Sequence, residues 1–221
     1  MIHIIALLAR AGHGKTSVAN YLRDTYGAQI VSLAGPLKRC AQKVMRFSHE
    51  QLYGTQVEKE ANDPRYGFSA REFLQRLGTE GLREEFGYDI HVQALLHHIA
   101  RLDSNLTNVD GIYVVDDVRF PNEVGALVSS EDHHGACIKI VCTDAPETPN
   151  ANHASETGID AVYPEQIAAT LVSSRAQGVP HLIGELERAL TTNPRLAPIR
   201  RALRRRIVVD VQAVLRTPVA T

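Results

Sequence analysis

Residues 7–22 read LLARAGHGKTSVANYL. An apolar, strand-like segment runs into two glycines, and a helix-like segment follows Lys15 and Thr16. The pattern is one residue short of the phosphate-binding loop G-x-x-x-x-G-K-[ST], because Ala9 stands at the first glycine. The chemistry of such a loop comes from backbone: successive N–H groups in a tight turn, followed by a helix N-terminus, form a concave anion site. Ala11, Gly12, His13, Gly14, Lys15, Thr16 and Ser17 are therefore the candidate nucleotide-binding residues. Lys15 is suited to bridge β- and γ-phosphates, and the Thr16 hydroxyl to reach Mg²⁺. Alanine is the smallest alternative at position 9, and its methyl is tolerated if φ is negative there, so a working loop is expected. A strand before it and a helix after it argue against an incidental glycine turn. The loop alone specifies a nucleoside triphosphate, without separating kinases from switches or motors.

Working outward, IHIIALL (2–8), AQIVSLA (28–34), GIYVVDD (111–117) and ACIKIVC (136–142) are nearly continuous apolar runs, as suits parallel strands covered on both faces. DAVY (160–163) is the candidate short fifth strand. Helical patterns fall at 15–26, 36–47, 69–86, 88–102 and 164–177. Strands alternating with helices predict an α/β fold with a parallel, doubly wound sheet. The polar, turn-rich stretch 144–158 reads as a loop. Residues 1–178 are expected to form the main domain, and 179–221 a helical, basic C-terminal extension.

Composition sets the bounds. The chain has 221 residues, of which 44% are hydrophobic and 22% charged, ordinary values for a globular protein. With 24 basic and 25 acidic residues, wholesale electrostatic binding of nucleic acid is disfavoured, although a local basic patch is not. The cysteines Cys40, Cys137 and Cys142 show no C-x-x-C pairing, as in a reduced, cytoplasmic protein. The apolar amino end is too short to span a bilayer, so no membrane association is expected. The pairs His97–His98 and His133–His134 lack convergent ligand spacing for a metal.

YVVDDVRFPNEV (113–124) delivers Asp116 and Asp117 to the C-terminal end of a buried strand, the edge where open α/β sheets bind ligands. A carboxylate there can hold Mg²⁺ through water or accept a proton, and Arg119 can fork onto a phosphate. In SAREFLQRLGTEGLREEFGYD (69–89), Ser69 and Glu72 have capping-box spacing. Arg71, Gln75 and Gly78 then share a helix face, and Arg76 and Arg83 lie nearby. Phe73, Leu74 and Leu77 are expected to face the core. Gly78 within a helix costs about 1 kcal/mol relative to alanine, a cost that close approach of a ligand would offset.

The order ARAGHGKTSVA, LAGPLK, SAREFLQRLGTEGLR, VVDDVRFPNEV and NHASE resembles the deoxynucleoside monophosphate kinases of tailed bacteriophages, over roughly residues 2–163. That resemblance implies a P-loop kinase fold and transfer of the γ-phosphate of ATP to a deoxynucleoside monophosphate, giving a diphosphate for DNA synthesis. It implies ATP and Mg²⁺ at Lys15 and Thr16, acceptor-site roles for Arg71, Gln75, Gly78, Thr79 and Arg83, and a phosphate contact from Arg119. Asp116 and Asp117 then serve Mg²⁺ better than proton abstraction, because a phosphate acceptor is already ionised. It also implies a host-cytoplasmic location and, since related kinases are often dimers, a homodimer. HASE (153–156) resembles a motif near the lid. Three features depart from the pattern: Ala9, His91 where tryptophan is usual, and the lack of Lys or Arg between Thr143 and Ser155.

The missing lid cation has three candidate replacements: His153, Arg175 on the following helix, and the cluster Arg200, Arg201, Arg204, Arg205 and Arg206. The cluster also reads as the solvated face of an amphipathic helix. Tyr53, Tyr66, Phe68 and Tyr88 are the available partners for stacking on a base. Two other functions fit the same residues: a P-loop kinase acting on a hydroxymethylated base in DNA or a small phosphorylated metabolite, and a non-enzymatic ATP-binding module.

Overall fold

The apolar run at the amino end is strand β1 (Ile2–Leu8), the centre of a five-stranded sheet. The computed structural model describes residues 1–104, 110–146 and 157–216, with side chains as far as Arg206. β2 (Gln29–Val31), β3 (Gly111–Val118), β4 (His133–Cys142) and β5 (Ile167–Ser173) complete the sheet in the order β2-β3-β1-β4-β5, every neighbouring pair parallel. Ile4 to Leu8 are all 0% exposed, so both faces of β1 are covered. That is why the run shows no alternation.

The helices in chain order are α1 (Lys15–Tyr26), α2 (Gly35–Val44), α3 (His49–Tyr53), α4 (Gln56–Glu60), α5 (Ala70–Arg76), α6 (Glu84–Phe86), α7 (Ile90–Asp103), α8 (Pro121–Val128), α9 (Gly178–Thr192) and α10 (Ala197–Arg216). The chain divides into two units, cut between Val31 and Ser32 and between Leu95 and Leu96. The first holds the sheet. The second is the helical segment inserted between β2 and β3.

In the sheet unit, α1, α9 and α10 pack on one another and on the strands. Leu182, Leu186 and Leu190 of α9 and Ile199 and Leu203 of α10 share one buried cluster with Ile5 and Leu7. Their i, i+4 spacing lays one apolar stripe of each helix on the sheet. Tyr26 at the end of α1 donates to Glu187 of α9 at 2.8 Å. Residues beyond 178 therefore complete the sheet unit's core, and the compact division does not fall at the expected 178/179 boundary. The composition change at 178 reflects a helix with one exposed face, not the edge of a core.

The fifth strand also departs from expectation. DAVY does not form it: Gly158–Ala161 is a 3₁₀ turn. The strand is Ile167–Ser173, inside the segment read as helix 164–177. Ala168, Leu171 and Ser173 are its buried residues. IAATLVS has small residues where a helical stripe would need bulk, and an edge strand asks for little patterning.

In the inserted unit, Ala41, Phe47, Leu52 and Ala70 form a small core flanked by Phe68, Phe73 and Leu74. Ser48 and Thr55 start α3 and α4 with complete capping boxes, and the Ser69 hydroxyl caps α5 by accepting from Glu72 N at 3.1 Å. Asp63, 3% exposed, accepts from Arg65 Nε, Arg65 Nη2 and Gln51 Nε2 at 2.9, 2.7 and 2.9 Å. The guanidinium of Arg65 and then the Gln51 amide hold its carboxyl well below the usual carboxylate range. The expected single helix 69–86 is interrupted: Leu77–Arg83 is π-helical. Its wider turn shifts the residues after Leu77 relative to a continued α-helix, and such turns occur frequently at functional sites.

Candidate nucleotide and acceptor sites

β1 ends at the phosphate-loop sequence. Gly12 and Gly14 take φ of 78° and 94°, a region that side-chain-bearing residues rarely enter. Gly14 caps the N-terminus of α1, so the loop feeds its N–H groups into the helix end. Ala9 is 1% exposed and belongs to the sheet-unit core. Among the described residues Arg46 is the non-glycine with positive φ, so Ala9 meets the condition for replacing glycine.

The cations around the loop converge on the end of β1. Lys15 Nζ donates to the Ala9 carbonyl and, at 2.9 Å, to the Arg10 carbonyl. Arg119 Nη1 lies 3.4 Å from the same Ala9 oxygen. The loop is also tied to β4, since Cys142 N donates to His13 Nδ1 at 3.2 Å.

Asp116 and Asp117 are half-buried near the end of β3. Between Ala6 and Leu8 of β1 the partner register jumps from Val115 to Val118, so β3 carries one extra residue at these two acids. A bulge of this kind re-aims side chains. The turn after β3 is held by Glu123, 2% exposed, whose Oε2 accepts from Arg119 N at 2.8 Å and Phe120 N at 3.1 Å. Sequence reasoning missed Glu123. Its signal was present: Pro121 at the first position of α8 and a glutamate two residues on is a helix-start pattern.

The second missed feature is the β5–α9 loop. Arg175 lies in this turn, not on a helix. A Cβ placed on Gly12 would lie 3.8 Å from Arg175 Nη2, so the guanidinium sits over the phosphate loop. Asp144 fixes the turn by accepting from Arg175 N at 2.6 Å and Ala176 N at 3.4 Å. These backbone bonds, Arg175's first, hold its carboxyl below the ordinary range. Together, Gly12, His13 and Gly14, Cys142, and residues of the β5–α9 loop line a cavity of about 280 Å³ beside the loop. His153 and HASE lie outside the described residues.

In the inserted unit, Arg71 Nη1 donates to Gln56 Oε1 at 3.2 Å and lies 3.7 Å from Glu60 Oε1. Gln75 and Thr79 are half-buried, and Arg83 is 7% exposed. Gly78 has a packing reason: a Cβ there would stand 3.2 Å from Leu37 Cδ1. Its carbonyl accepts from His91 Nε2 at 2.9 Å, so His91 fastens the π-helical turn to α7. Leu77 faces a cavity of about 470 Å³ with Phe68, Phe73 and Gly81, and not the small core. His133 donates from Nε2 to the Leu127 carbonyl at 2.9 Å, a packing role.

Oxygen donors at Thr16, Asp116 and Asp117 suit Mg²⁺, which binds few protein ligands and otherwise phosphate and water. Among the described residues no three His, Cys, Asp or Glu side chains converge into a metal site. No helix among them is long and apolar enough to cross a membrane.

No family model matches the chain. A protein of Acanthamoeba polyphaga mimivirus, described as a "putative deoxynucleotide monophosphate kinase", is 39% identical over 144 residues, 62% of this chain and 72% of its own. Among solved structures, an unliganded sugar kinase from Janibacter matches with TM-score 0.44 and 13% identity over 90% of this chain and 97% of its own. A Thermus thermophilus protein matches with TM-score 0.42 and 14% identity, over 85% and 97%. The mimivirus relative shares the chain's sequence over most of its own length, and on that similarity the chain belongs to the deoxynucleotide monophosphate kinase family.

Proposed function

We propose that the protein transfers the γ-phosphate of ATP to a deoxynucleoside monophosphate, releasing ADP and the deoxynucleoside diphosphate. An acceptor phosphate oxygen attacks the γ-phosphorus, and the bond from that phosphorus to the β–γ bridging oxygen breaks. The observation that carries this reading is the phosphate loop at the end of β1 with Lys15, Arg119 and Arg175 gathered on it.

Phosphoryl transfer needs positioning and charge neutralisation more than acid–base chemistry. Loop N–H groups from Ala11 to Ser17 hold the triphosphate. Lys15 exchanges its carbonyl partners for β- and γ-oxygens, and Arg119 and Arg175 face the charge that develops on transfer. Thr16, Asp116 and Asp117 would hold Mg²⁺, which when bound offsets the charge of the β- and γ-phosphates. The cavity beside Gly12 takes the nucleoside of ATP. In the inserted unit, Arg71, Gln75, Thr79 and Arg83 receive the monophosphate, with Gly78 keeping the π-helical turn close to α2. The enzyme works in the cytoplasm, where its substrates are.

A coupled assay with ATP and each of the four deoxynucleoside monophosphates tests this. Diphosphate formation with at least one acceptor is expected. ATP hydrolysis without diphosphate product from any acceptor overturns it.

A further inference from the structure

Arg71 and Gln75 stand one turn apart on the same face of α5. A continued α-helix would bring Leu82 to that face, because the 11 positions from Arg71 to Leu82 make about three turns. The segment Leu77–Arg83 is π-helical instead, and Glu84 N donates to the Thr79 carbonyl, five residues back. A wide turn of this kind holds one residue more than an α-helical turn. Arg83 therefore takes the place along the face that Leu82 would have held. Burial agrees: Arg83 is 7% exposed, whereas Leu82 is only half-buried, so the arginine and not the leucine is turned inward.

The π-helix is the rarer register, and two neighbours meet this one at Gly78. From α7, His91 Nε2 donates to the Gly78 carbonyl at 2.9 Å. From α2, Leu37 packs so closely that a Cβ at position 78 would stand 3.2 Å from its Cδ1. His91 is half-buried and belongs to the same inserted unit as Leu37, Gly78 and Arg83. A carbonyl bonded from outside its own helix is held in the direction it points. Return to the α-helical register would re-aim the carbonyls of the turn and strain that bond.

We propose that His91 is a positioning residue for the acceptor: its bond to Gly78 holds the register that sets Arg83 beside Arg71 and Gln75, and so strengthens binding of a deoxynucleoside monophosphate that His91 does not touch. The inference rests on the reading of Arg71, Gln75 and Arg83 as the acceptor site. Arg83 is mostly covered, so it acts as a fixed positive charge in the wall of that site. Attraction between a covered cation and a phosphate is felt across several ångströms where water is excluded. With Leu82 in its place the same wall would be apolar.

The test compares His91→Phe, which keeps a ring and loses the donor, with His91→Gln, whose amide nitrogen reaches about as far as Nε2. The KM for the best monophosphate acceptor, the KM for ATP and the thermal midpoint are read for each. His91→Phe should raise the KM for the monophosphate about fivefold or more and leave the KM for ATP within about twofold, and His91→Gln should recover most of that loss. A merely structural role would lower the midpoint without separating the two constants. If His91→Phe does not fold, His91→Asn takes its place, since its shorter amide stays polar but does not reach Gly78. Equal changes in both Michaelis constants, a monophosphate KM within about twofold of the parent, or a His91→Gln protein no better than the donor-free variant overturns the proposal and leaves the phosphotransfer reading standing. Absence of diphosphate product from every acceptor in the parent protein overturns both.

Discussion

Asp144 accepts the backbone N–H of Arg175 at 2.6 Å, and the guanidinium of Arg175 lies against Gly12 of the phosphate loop. The acid at the end of one strand thus fixes the turn after the next. Removing its charge while keeping its shape, as in Asp144→Asn, should loosen that turn and, through Arg175 over the loop, lower kcat and raise the KM for ATP, each about tenfold. The folded-state value of Asp144 is depressed, so its contribution is intact above the ordinary carboxylate range and is lost only as pH falls through the lower, folded value. The KM for ATP should therefore show no step from this group between about pH 5 and 8. A step in that window, absent from Asp144→Asn, would contradict the assignment.

Arg175 itself should matter to turnover. In the proposed reaction Lys15, Arg119 and Mg²⁺ leave part of the charge of two polyanions unmatched, and the Arg175 guanidinium lies over the loop. Arg175→Ala should lower kcat at saturating ATP on the order of a hundredfold, and Arg175→Lys should restore part of it. Truncation before α10 is not a clean comparison, because Leu196, Ile199 and Leu203 are in the core. Normal turnover in Arg175→Ala would remove the arginine from the mechanism.

Position 9 separates loop chemistry from packing. Lys15→Ala should lower transfer on the order of a thousandfold while the thermal midpoint stays near that of the parent, since Lys15 is half-buried and bonds the loop carbonyls of Ala9 and Arg10. Ala9→Gly should change activity by less than about tenfold. It should destabilise by about 1 kcal/mol, from lost methyl burial and added backbone freedom. A large gain in kcat with unchanged stability would mean that Ala9 distorts the loop.

The contrast between these residues shows what was legible. Lys15, Thr16 and the strand–loop–helix around them could be read because the loop's chemistry is local: every contributing atom lies within one short segment. Asp116, Asp117 and Arg119 were legible as a strand end followed by a cation. Asp144 was not, and Arg175 was named as a candidate but placed on a helix, since the bond between the two joins residues 31 apart across a strand pair whose second member periodicity assigned to a helix. IAATLVS lacks the bulk and alternation that mark a strand, and its identity comes from its partner β4. The π-helical turn was likewise invisible. At that turn Gly78 leaves room for Leu37 and its carbonyl accepts from His91, relations that no spacing rule supplies.

Glu123 offers a test of positioning. It accepts two backbone N–H groups at the turn that carries Arg119. Glu123→Ala removes the acceptor of two backbone donors at a half-buried turn and should cost about 1–3 kcal/mol of stability. It should also lower kcat more than it raises either KM, because the Arg119 guanidinium is displaced. Glu123→Gln keeps one acceptor oxygen and should recover most of both losses. Equal stability of Glu123→Ala and the parent would show that the turn holds without it.

The two arginines assigned to the acceptor should part in their stability effects and agree in their kinetics. Arg71 is held by Gln56 and Glu60 at 3.2 and 3.7 Å, in a half-buried position where a phosphate can compete for its fork. Arg71→Ala should raise the KM for the monophosphate about tenfold or more and leave the KM for ATP nearly unchanged. Its thermal midpoint should move little, because partly exposed ion pairs contribute little to stability. Arg83, 7% exposed, is a different case. Arg83→Ala removes a long side chain from a buried position and should cost about 2 kcal/mol or more, so its kinetics are read alongside circular dichroism. Arg83→Lys retains the charge but loses the fork, and it should fold yet still bind the monophosphate weakly. If Arg71→Ala and Arg83→Lys raise the two Michaelis constants equally, both arginines serve the fold of the inserted unit and the acceptor is bound elsewhere.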